Sequence, residues 1–371
     1  MQKSHNTAFA IYAIVGKDQK FGTQDQLFKD IAKLADEREM DFFILVPGFS
    51  KSLATGIEGY RLQGIGDTDV KWHKEKVIWP QAVLRRMVHY PSSMKNLVQH
   101  EEQLLEKKSQ LITLPRRLGN KWRGYQLLQK DPSLRAFLPK TIMLKTARDI
   151  YPYLETMPDL YIKPVLGSQG SRVMRIQRAA DVFLLAASQT GVMQFSHQDS
   201  TGLVQEVNER LLGHAAIVQE TIPLMHTMAE ESIDLRYLVQ VVPGQDRPYV
   251  LPIARVGKKK SVTTNLHTGG RALSCKQIAE YLPSDQVQAW QRGVDRGKTL
   301  ARKVFRSFQK EYPLLSELGI DIAMDEAGRV YWLEINPCPG RRMVRAVSPD
   351  WRMMSLLRMV DYAKYLVTRT S

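Results

Sequence analysis

Lys163 ends an apolar run, Leu160–Pro164, and a turn with two glycines follows it, Val165–Ser171. The run predicts a buried strand, where an ammonium group is costly unless it contacts an anion. Glycines let successive backbone N–H groups converge on phosphate oxygens. The pattern therefore predicts a phosphate clamp, with a hairpin turn and a solvent-facing lysine as the alternative. Its members are Lys163, Gly167, Ser168, Gln169 and Gly170.

A second group of chemically capable residues is acidic. Two predicted strands, Ile320–Met324 and Val330–Ile335, form a hairpin that carries Asp321, Glu334 and the adjoining Asn336. Side chains alternate along a strand, so Glu334 and Asn336 share one face, which Asp321 can reach from its neighbour. Two carboxylates and an amide carbonyl are oxygen ligands suited to Mg²⁺, with Mn²⁺ as a substitute. An exposed hairpin with unrelated acids is the alternative.

A predicted strand over Ala216–Gln219 becomes irregular at residues 220–222. A strand end of this kind offers free backbone N–H and C=O groups, which can bind an adenine edge, while Glu220 can accept a hydrogen bond from a ribose hydroxyl. An ordinary strand end explains the same pattern. The candidates for nucleotide contact in this segment are Gln219, Glu220, Thr221 and Ile222.

Two arginines are candidates for binding phosphoryl and acyl-phosphate oxygens. Arg236 lies in the predicted strand Asp234–Val242 and Arg255 ends the predicted strand Tyr249–Arg255. A guanidinium fork fits two phosphate oxygens, although a structural salt bridge is equally consistent with either arginine. The polar run that follows adds hydroxyl and amide groups for phosphate, from Thr263, Thr264 and Asn265.

Composition limits the class of protein. The 371 residues are 43% hydrophobic and 25% charged, which is typical of a globular chain with more than one domain. No apolar run reaches the roughly 18 residues of a membrane span, and two cysteines lack metal or disulfide spacing. These features predict a cytoplasmic protein.

The net charge of +15 is uneven, because residues 107–148 hold eleven Lys or Arg and one acid, Asp131. Such a stretch attracts an anion, for example nucleotide phosphates or an acidic peptide or polymer. A solvated basic face is the alternative. No zinc-finger spacing or RNP-type motif appears, so the charge alone gives no support to nucleic acid recognition.

Taken in order, these segments resemble the ATP-grasp fold. Residues 265–270 are similar to the pattern of RimK-type glutamate ligases. Similarity to YheC/YheD-type proteins of spore-forming bacteria is broader and covers roughly Gly59 to Arg345. The segments that carry it are Ile57–Leu62, Trp79, Val83–Met87, Asn120–Trp122, Asp234–Gln240 and the acidic hairpin.

The resemblance implies an α/β (α+β) protein with an N-terminal α/β pre-domain over 1–105, a small ATP-grasp lobe over 106–215 and a C-terminal lobe over 216–371. It implies that ATP and one or two Mg²⁺ ions are bound. Lys121 and Lys163 would contact the phosphates, residues 219–222 the adenine, Asp234 the ribose region, and residues 263–265 the triphosphate. Asp321, Glu334 and Asn336 would hold the metal.

The activity implied is that of an ATP-dependent ligase that joins a carboxylate to an amine or another nucleophile through an acyl phosphate. Lys163, Arg236 and Arg255 would polarise the transferred phosphoryl group. The substrate would be a carboxylate, with an acidic peptide or polymer as a candidate. The alternative is a nucleotide-binding protein associated with the spore coat or envelope, with little turnover.

Overall fold

The computed structural model describes residues 7–16, 18, 20–54, 56–64, 70–87, 90–112, 119–167, 172–179, 182–189, 192–198, 200–259, 264 and 269–369. Three β-sheets with helices packed on them make up these ranges. This arrangement confirms the predicted α/β (α+β) class. None of the helices in the described ranges is long and apolar enough to cross a membrane.

The first sheet has the strand order β4-β3-β2-β1-β5-β6, and β1 pairs in parallel with both β2 and β5. All five residues of β1 are buried, as expected for a central parallel strand covered on both faces. The elements are β1 (Ala8–Tyr12), α1 (Asp25–Glu37), β2 (Asp41–Leu45), β3 (Ile57–Gln63), β4 (Lys71–Val77), β5 (Ala82–Arg85), α2 (Lys95–Lys108) and β6 (Gln110–Leu111).

The second sheet has the order β11-β10-β9-β8-β12-β7, and all its pairs are antiparallel. The predicted Lys163 strand is β8, and its predicted hairpin partner begins two residues later than expected, at Met174. The elements are α3 (Lys121–Gln129), β7 (Thr141–Leu144), α4 (Tyr151–Thr156), β8 (Asp159–Pro164), β9 (Met174–Ala179), β10 (Val182–Gln189), β11 (Val192–Gln198), α5 (Ser200–Leu211) and β12 (Ala216–Glu220).

The third sheet is antiparallel, with the order β15-β14-β13-β16-β17. The predicted acidic hairpin is formed by its strands β16 and β17. The elements are β13 (Ile233–Gln240), β14 (Tyr249–Val256), β15 (Arg271–Leu273), α6 (Cys275–Ile278), α7 (Val287–Glu311), β16 (Glu317–Met324), β17 (Val330–Asn336), α8 (Arg342–Val347) and α9 (Pro349–Arg369).

Two helices pack away from the lobe in which the sequence places them. Helix α9 lies within residues 216–371, yet Leu356, Val360 and Ala363 pack in the core of the first sheet. Helix α3 lies within 106–215, yet Tyr125 and Leu128 pack in the core of the third sheet. The two helices therefore connect the three units, and the domain boundaries stay a prediction.

Helix α7 covers one face of the third sheet at very close range. Gly297 faces β13, where the Tyr237 hydroxyl donates to the Val294 carbonyl at 3.0 Å. A Cβ at Gly297 would lie 2.0 Å from that hydroxyl. The buried ring on β13 has no room to retreat, so a glycine is required by the packing.

We expect Gly297→Ala to lower the free energy of unfolding by about 1–3 kcal/mol, because overpacking outweighs the better helix propensity of alanine. Gly124→Ala in α3 is the matched control, since its Cβ would meet Trp332 at an ordinary 3.5 Å. Urea denaturation of both variants measures the difference. Equal stability of the two variants would contradict this packing.

Candidate functional site

Four neighbouring strands of the third sheet place five charged side chains side by side. On β13, Asp234 and Arg236 share one face, as residues two apart must. Strand pairing sets Arg255 of β14 opposite Asp234, and Asp321 of β16 opposite Arg236. Glu334 of β17 lies opposite Asp321. The sheet therefore brings together the arginines and the carboxylates that the sequence selected separately.

The arginines and aspartates form one buried network. Arg255 donates to Asp234 through Nε at 2.6 Å and through Nη2 at 2.5 Å, and its Nη1 lies 2.9 Å from Oδ2 of Asp321. Arg236 binds the same carboxylate through Nε and, at 2.6 Å, through Nη2. Asp321 is 2% exposed and Arg255 3%. Paired charges are the form in which such buried groups are tolerated.

Burial and ion pairing oppose each other in this network. Burial alone raises the pKa of Asp321, but Arg236 and Arg255 outweigh it and hold that pKa below its usual value. Burial alone lowers the pKa of Arg255, but Asp234 and Asp321 outweigh it and raise that pKa. Asp321 and Arg255 therefore stay charged near neutral pH.

Lys163 reaches this network from the second sheet. Its Nζ donates to Oε1 of Gln219 at 2.6 Å and lies 5.2 Å from the centre of the Tyr161 ring. Burial lowers the pKa of the ammonium group to about 8. The charges of Glu334, Asp234 and Asp321 act on it in the opposite direction, and Lys121 adds to the lowering. Lys163 thus lies close enough to the carboxylates of the third sheet for their charges to act on its ammonium group.

Lys121 connects the two sheets directly. It begins helix α3, whose N-cap Asn120 accepts from the backbone N–H of Arg123 at 3.1 Å. Its Nζ lies 3.2 Å from Oε2 of Glu334 and donates to the Gly167 carbonyl at 3.1 Å. Gly167 has a φ of 142°, which is accessible to glycine alone without strain. One lysine therefore joins the turn after β8 to the acidic hairpin.

At the strand end proposed for adenine, more backbone N–H groups are hydrogen-bonded within the protein than expected. The backbone N–H of Glu220 donates to the Lys140 carbonyl at 3.0 Å, and that of Thr221 to the Asp159 carbonyl at 3.2 Å. The expectation that these two N–H groups are free is wrong, because β7 and β8 bind them. The Glu220 carboxylate accepts from the Lys140 N–H at 2.7 Å. A nucleotide at this strand end must use other groups, and its contact with Gln219, Glu220, Thr221 and Ile222 stays a prediction.

The predicted metal ligands lie next to one another on the acidic hairpin. Glu334 is 35% exposed, and Asn336 Oδ1 accepts from the backbone N–H of Cys338 at 3.1 Å. Both oxygens of Asp321 already bind guanidinium groups. To hold a cation, Asp321 must share an oxygen with an arginine or release that arginine. Within the described ranges, no three His, Cys, Asp or Glu form a metal-binding group. The predicted set depends on the Asn336 amide as its third ligand, and its oxygen chemistry fits Mg²⁺.

Ser168, Gln169, Gly170, Thr263 and Asn265 lie outside the described residues. Thr264 is described and is 5% exposed.

Two features of the site were not predicted from the sequence. The Tyr161 ring beside Lys163 shares a strand face with it, so the alternation of β8 was an available signal. The loop after Asn336 is tied to the first sheet, because the Pro339 carbonyl accepts from Arg86, directly after β5, at 3.4 Å, and a local bond from Arg341 at 2.7 Å supports it. Those arginines are far apart in sequence, and no local pattern indicates that they meet.

Comparison with known proteins agrees with this arrangement. Residues 111–366 match the family described as YheC/D like ATP-grasp. The chain belongs to the YheC/D-like ATP-grasp family. The Bacillus subtilis endospore coat-associated protein YheD is 22% identical over 311 residues, which cover 82% of this chain and 67% of YheD. The predicted family is therefore confirmed.

Solved structures of ligases share the fold. D-alanyl-alanine synthetase A from Vibrio cholerae aligns with a TM-score of 0.57 and 11% identity, over 99% of each chain. The macrocyclase MdnC from Microcystis aeruginosa, solved with its precursor peptide MdnA, aligns with a TM-score of 0.54 and 13% identity. The alignment covers 95% of this chain and 98% of MdnC. These likenesses confirm the ATP-grasp fold of the YheC/D-like chain.

The network predicts that two neighbouring carboxylates contribute very different amounts to the free energy of unfolding. We expect Asp321→Asn to lower the free energy of unfolding by about 3 kcal/mol, because it leaves two buried guanidinium groups undercompensated. Glu334→Gln, which alters a partly exposed pair with Lys121, should change it by less than about 1 kcal/mol.

Urea denaturation at pH 7 measures both changes. Asp295→Asn is the control, because its carboxylate is 76% exposed and forms a surface ion pair with Lys298. Equal losses for Asp321→Asn and Glu334→Gln would contradict the buried network.

Proposed function

We propose that this chain binds MgATP between the second and third sheets and uses it to activate a carboxylate. The observation that carries the proposal is the convergence of Lys163 and Lys121 on Glu334, beside the Arg236–Asp321 network. Four cationic side chains meet three carboxylates there. A cationic excess in a partly desolvated cleft favours a polyanion such as a triphosphate.

Each side chain has a role in this proposal. Lys163 and Lys121 would bind phosphate oxygens. Lys163 would release Gln219 and Lys121 would release Glu334 when they do so. Arg236 and Arg255 would stabilise the charge that spreads over the transferred phosphoryl group. Glu334 and Asn336, with Asp321, would hold magnesium, which when bound neutralises phosphate charge. Catalysis would then consist mainly of positioning and electrostatics.

The reaction class follows from the chemistry that such a cleft supports. A substrate carboxylate would attack the γ-phosphorus, ADP would leave, and the acyl phosphate would react with an amine or another nucleophile, releasing phosphate. The ligase fold shared with D-alanyl-alanine synthetase A supports this class. MdnC was solved with a precursor peptide, which supports a peptide as one candidate substrate here.

A second candidate is nucleotide binding with little turnover, in a protein associated with the spore coat. The engagement of both Asp321 oxygens by guanidinium groups favours it, because that carboxylate is not free for a cation. The description of YheD as endospore coat-associated also supports it. A cytoplasmic location before coat assembly is compatible with either candidate.

A screen for ADP release separates the two candidates. Wild-type protein with MgATP is mixed with amino acids, acidic peptides or acidic polymers, each with and without an added amine. We expect a substrate-dependent rise in ADP that Glu334→Gln reduces by at least about a hundredfold, as losses of charge-stabilising groups do. Glu326→Gln, on the exposed turn of the same hairpin, should retain the wild-type rate. Identical hydrolysis by the wild type and Glu334→Gln under every condition would refute the ligase proposal.

The lowered pKa of Lys163 gives an independent test of phosphate binding. At pH 9 the free ammonium group, with a pKa of about 8, is mostly deprotonated. A triphosphate raises that pKa again, so MgATP binding should take up a proton at pH 9 and none at pH 7. Calorimetry in buffers of different ionisation enthalpy measures the uptake. Uptake that persists in Lys163→Met would show that another group is responsible.

A further inference from the structure

Helix α7 carries a row of six side chains along its exposed edge, of which five are basic and one is a threonine. The row is spaced alternately by four and three residues, which places its members within an arc of about 80° on the helix surface. All six are exposed. The row consists of Arg292, Arg296, Thr299, Lys303, Arg306 and Lys310. It is about 27 Å long at 1.5 Å per residue.

The first four members of this row border a cavity of about 540 Å³. Its apolar part comes from Phe137 and Leu300, and its charged lining includes Arg292, Arg296 and Lys303. Lys303 Nζ lies 6.0 Å from the centre of the Phe137 ring. The groove therefore offers cations beside a half-buried aromatic ring.

The basic stretch of the sequence continues this surface. Hydrogen bonds from Ser133 lower the pKa of Asp131, which is the one acid of residues 107–148. The charges of Lys310 and Lys303 lower that pKa further, so both lysines lie near Asp131. The exposed Lys130 and Arg135 flank that acid in sequence. Cations from two distant segments of the sequence thus lie on the same side of the protein, where Lys303 also approaches the Phe137 ring.

This surface is separate from the proposed nucleotide cleft. Tyr237 and Leu235 of β13 pack with α7 in one core. The alternate residues, Asp234 and Arg236, point to the opposite face of the sheet, where the charged network lies. A ligand on α7 therefore does not compete with ATP for side chains.

We propose that the α7 groove binds an acidic peptide in extended conformation, with a carboxylate for each basic side chain and one apolar residue against Phe137. The row matches about eight extended residues. Side chains on one face of an extended peptide are about 6–7 Å apart. This spacing is close to the helix pitch of about 5.4 Å, which separates the basic side chains on successive turns of α7. Duplex DNA, with about one charge per 1.7 Å, would leave most phosphates without a partner.

Fluorescence anisotropy tests the proposal without any need for ligase activity. The probe is a labelled peptide of about eight residues, all Glu except one central Leu. We expect Arg292→Glu/Lys303→Glu to weaken binding by at least about tenfold. Lys33→Glu/Lys95→Glu makes the same change in net charge at exposed positions of α1 and α2, and should have less than about a twofold effect.

A second pair of measurements distinguishes a peptide site from a general polyanion surface. Phe137→Ala should weaken the Leu-containing probe more than an all-Glu probe, because only the former has an apolar contact to lose. Thermal unfolding confirms that each variant is folded. Equal effects of the two double variants would overturn the site. Tighter binding of a single-stranded oligonucleotide of equal charge, with the same sensitivity to Arg292→Glu/Lys303→Glu, would overturn the peptide assignment.

Discussion

The double ion pairing of Asp321 with Arg236 and Arg255 is the contact on which the rest of the cleft depends. It joins three adjacent strands of the third sheet through side chains that are almost fully buried. Removal of any one member leaves a buried charge without its counterpart, so the strand register and the charge pattern stabilise each other. The same contact holds both guanidinium groups at Asp321, which lies opposite Glu334 on the next strand.

The cleft between the second and third sheets is held together by few charged contacts. Lys121 is the central one, because it begins α3 and contacts both Gly167 and Glu334. Helix α3 packs on the third sheet through Gly124, which lies against Trp332. The position of Lys121 is thereby set by apolar packing, while its ammonium group remains able to exchange Glu334 for an anionic ligand.

Much of this arrangement could be predicted from local sequence. The strand that carries Lys163 and the hairpin that carries Asp321 and Glu334 follow from apolar runs and alternation, which depend on near neighbours alone. The family follows from the order of several segments.

Other features depend on contacts between distant segments and gave no local signal. The pairing of Arg255 with Asp234 is set by the register of β13 and β14, and a single sequence does not specify it. The N–H groups of Glu220 and Thr221 were expected to be free, but β7 and β8 bind them across a long separation in sequence. Helix α9 packs on the first sheet because that sheet has an apolar face to cover, which the sequence of α9 alone does not show.

A crystal structure of the protein with magnesium and a non-hydrolysable ATP analogue would test the central claim most directly. We predict that the triphosphate lies between Lys163 and Glu334. Lys163 should have moved from Gln219 to a phosphate oxygen, and Arg236 or Arg255 should be released in part from Asp321. A nucleotide bound elsewhere, with the Lys163–Gln219 and Asp321–arginine contacts unchanged, would contradict it.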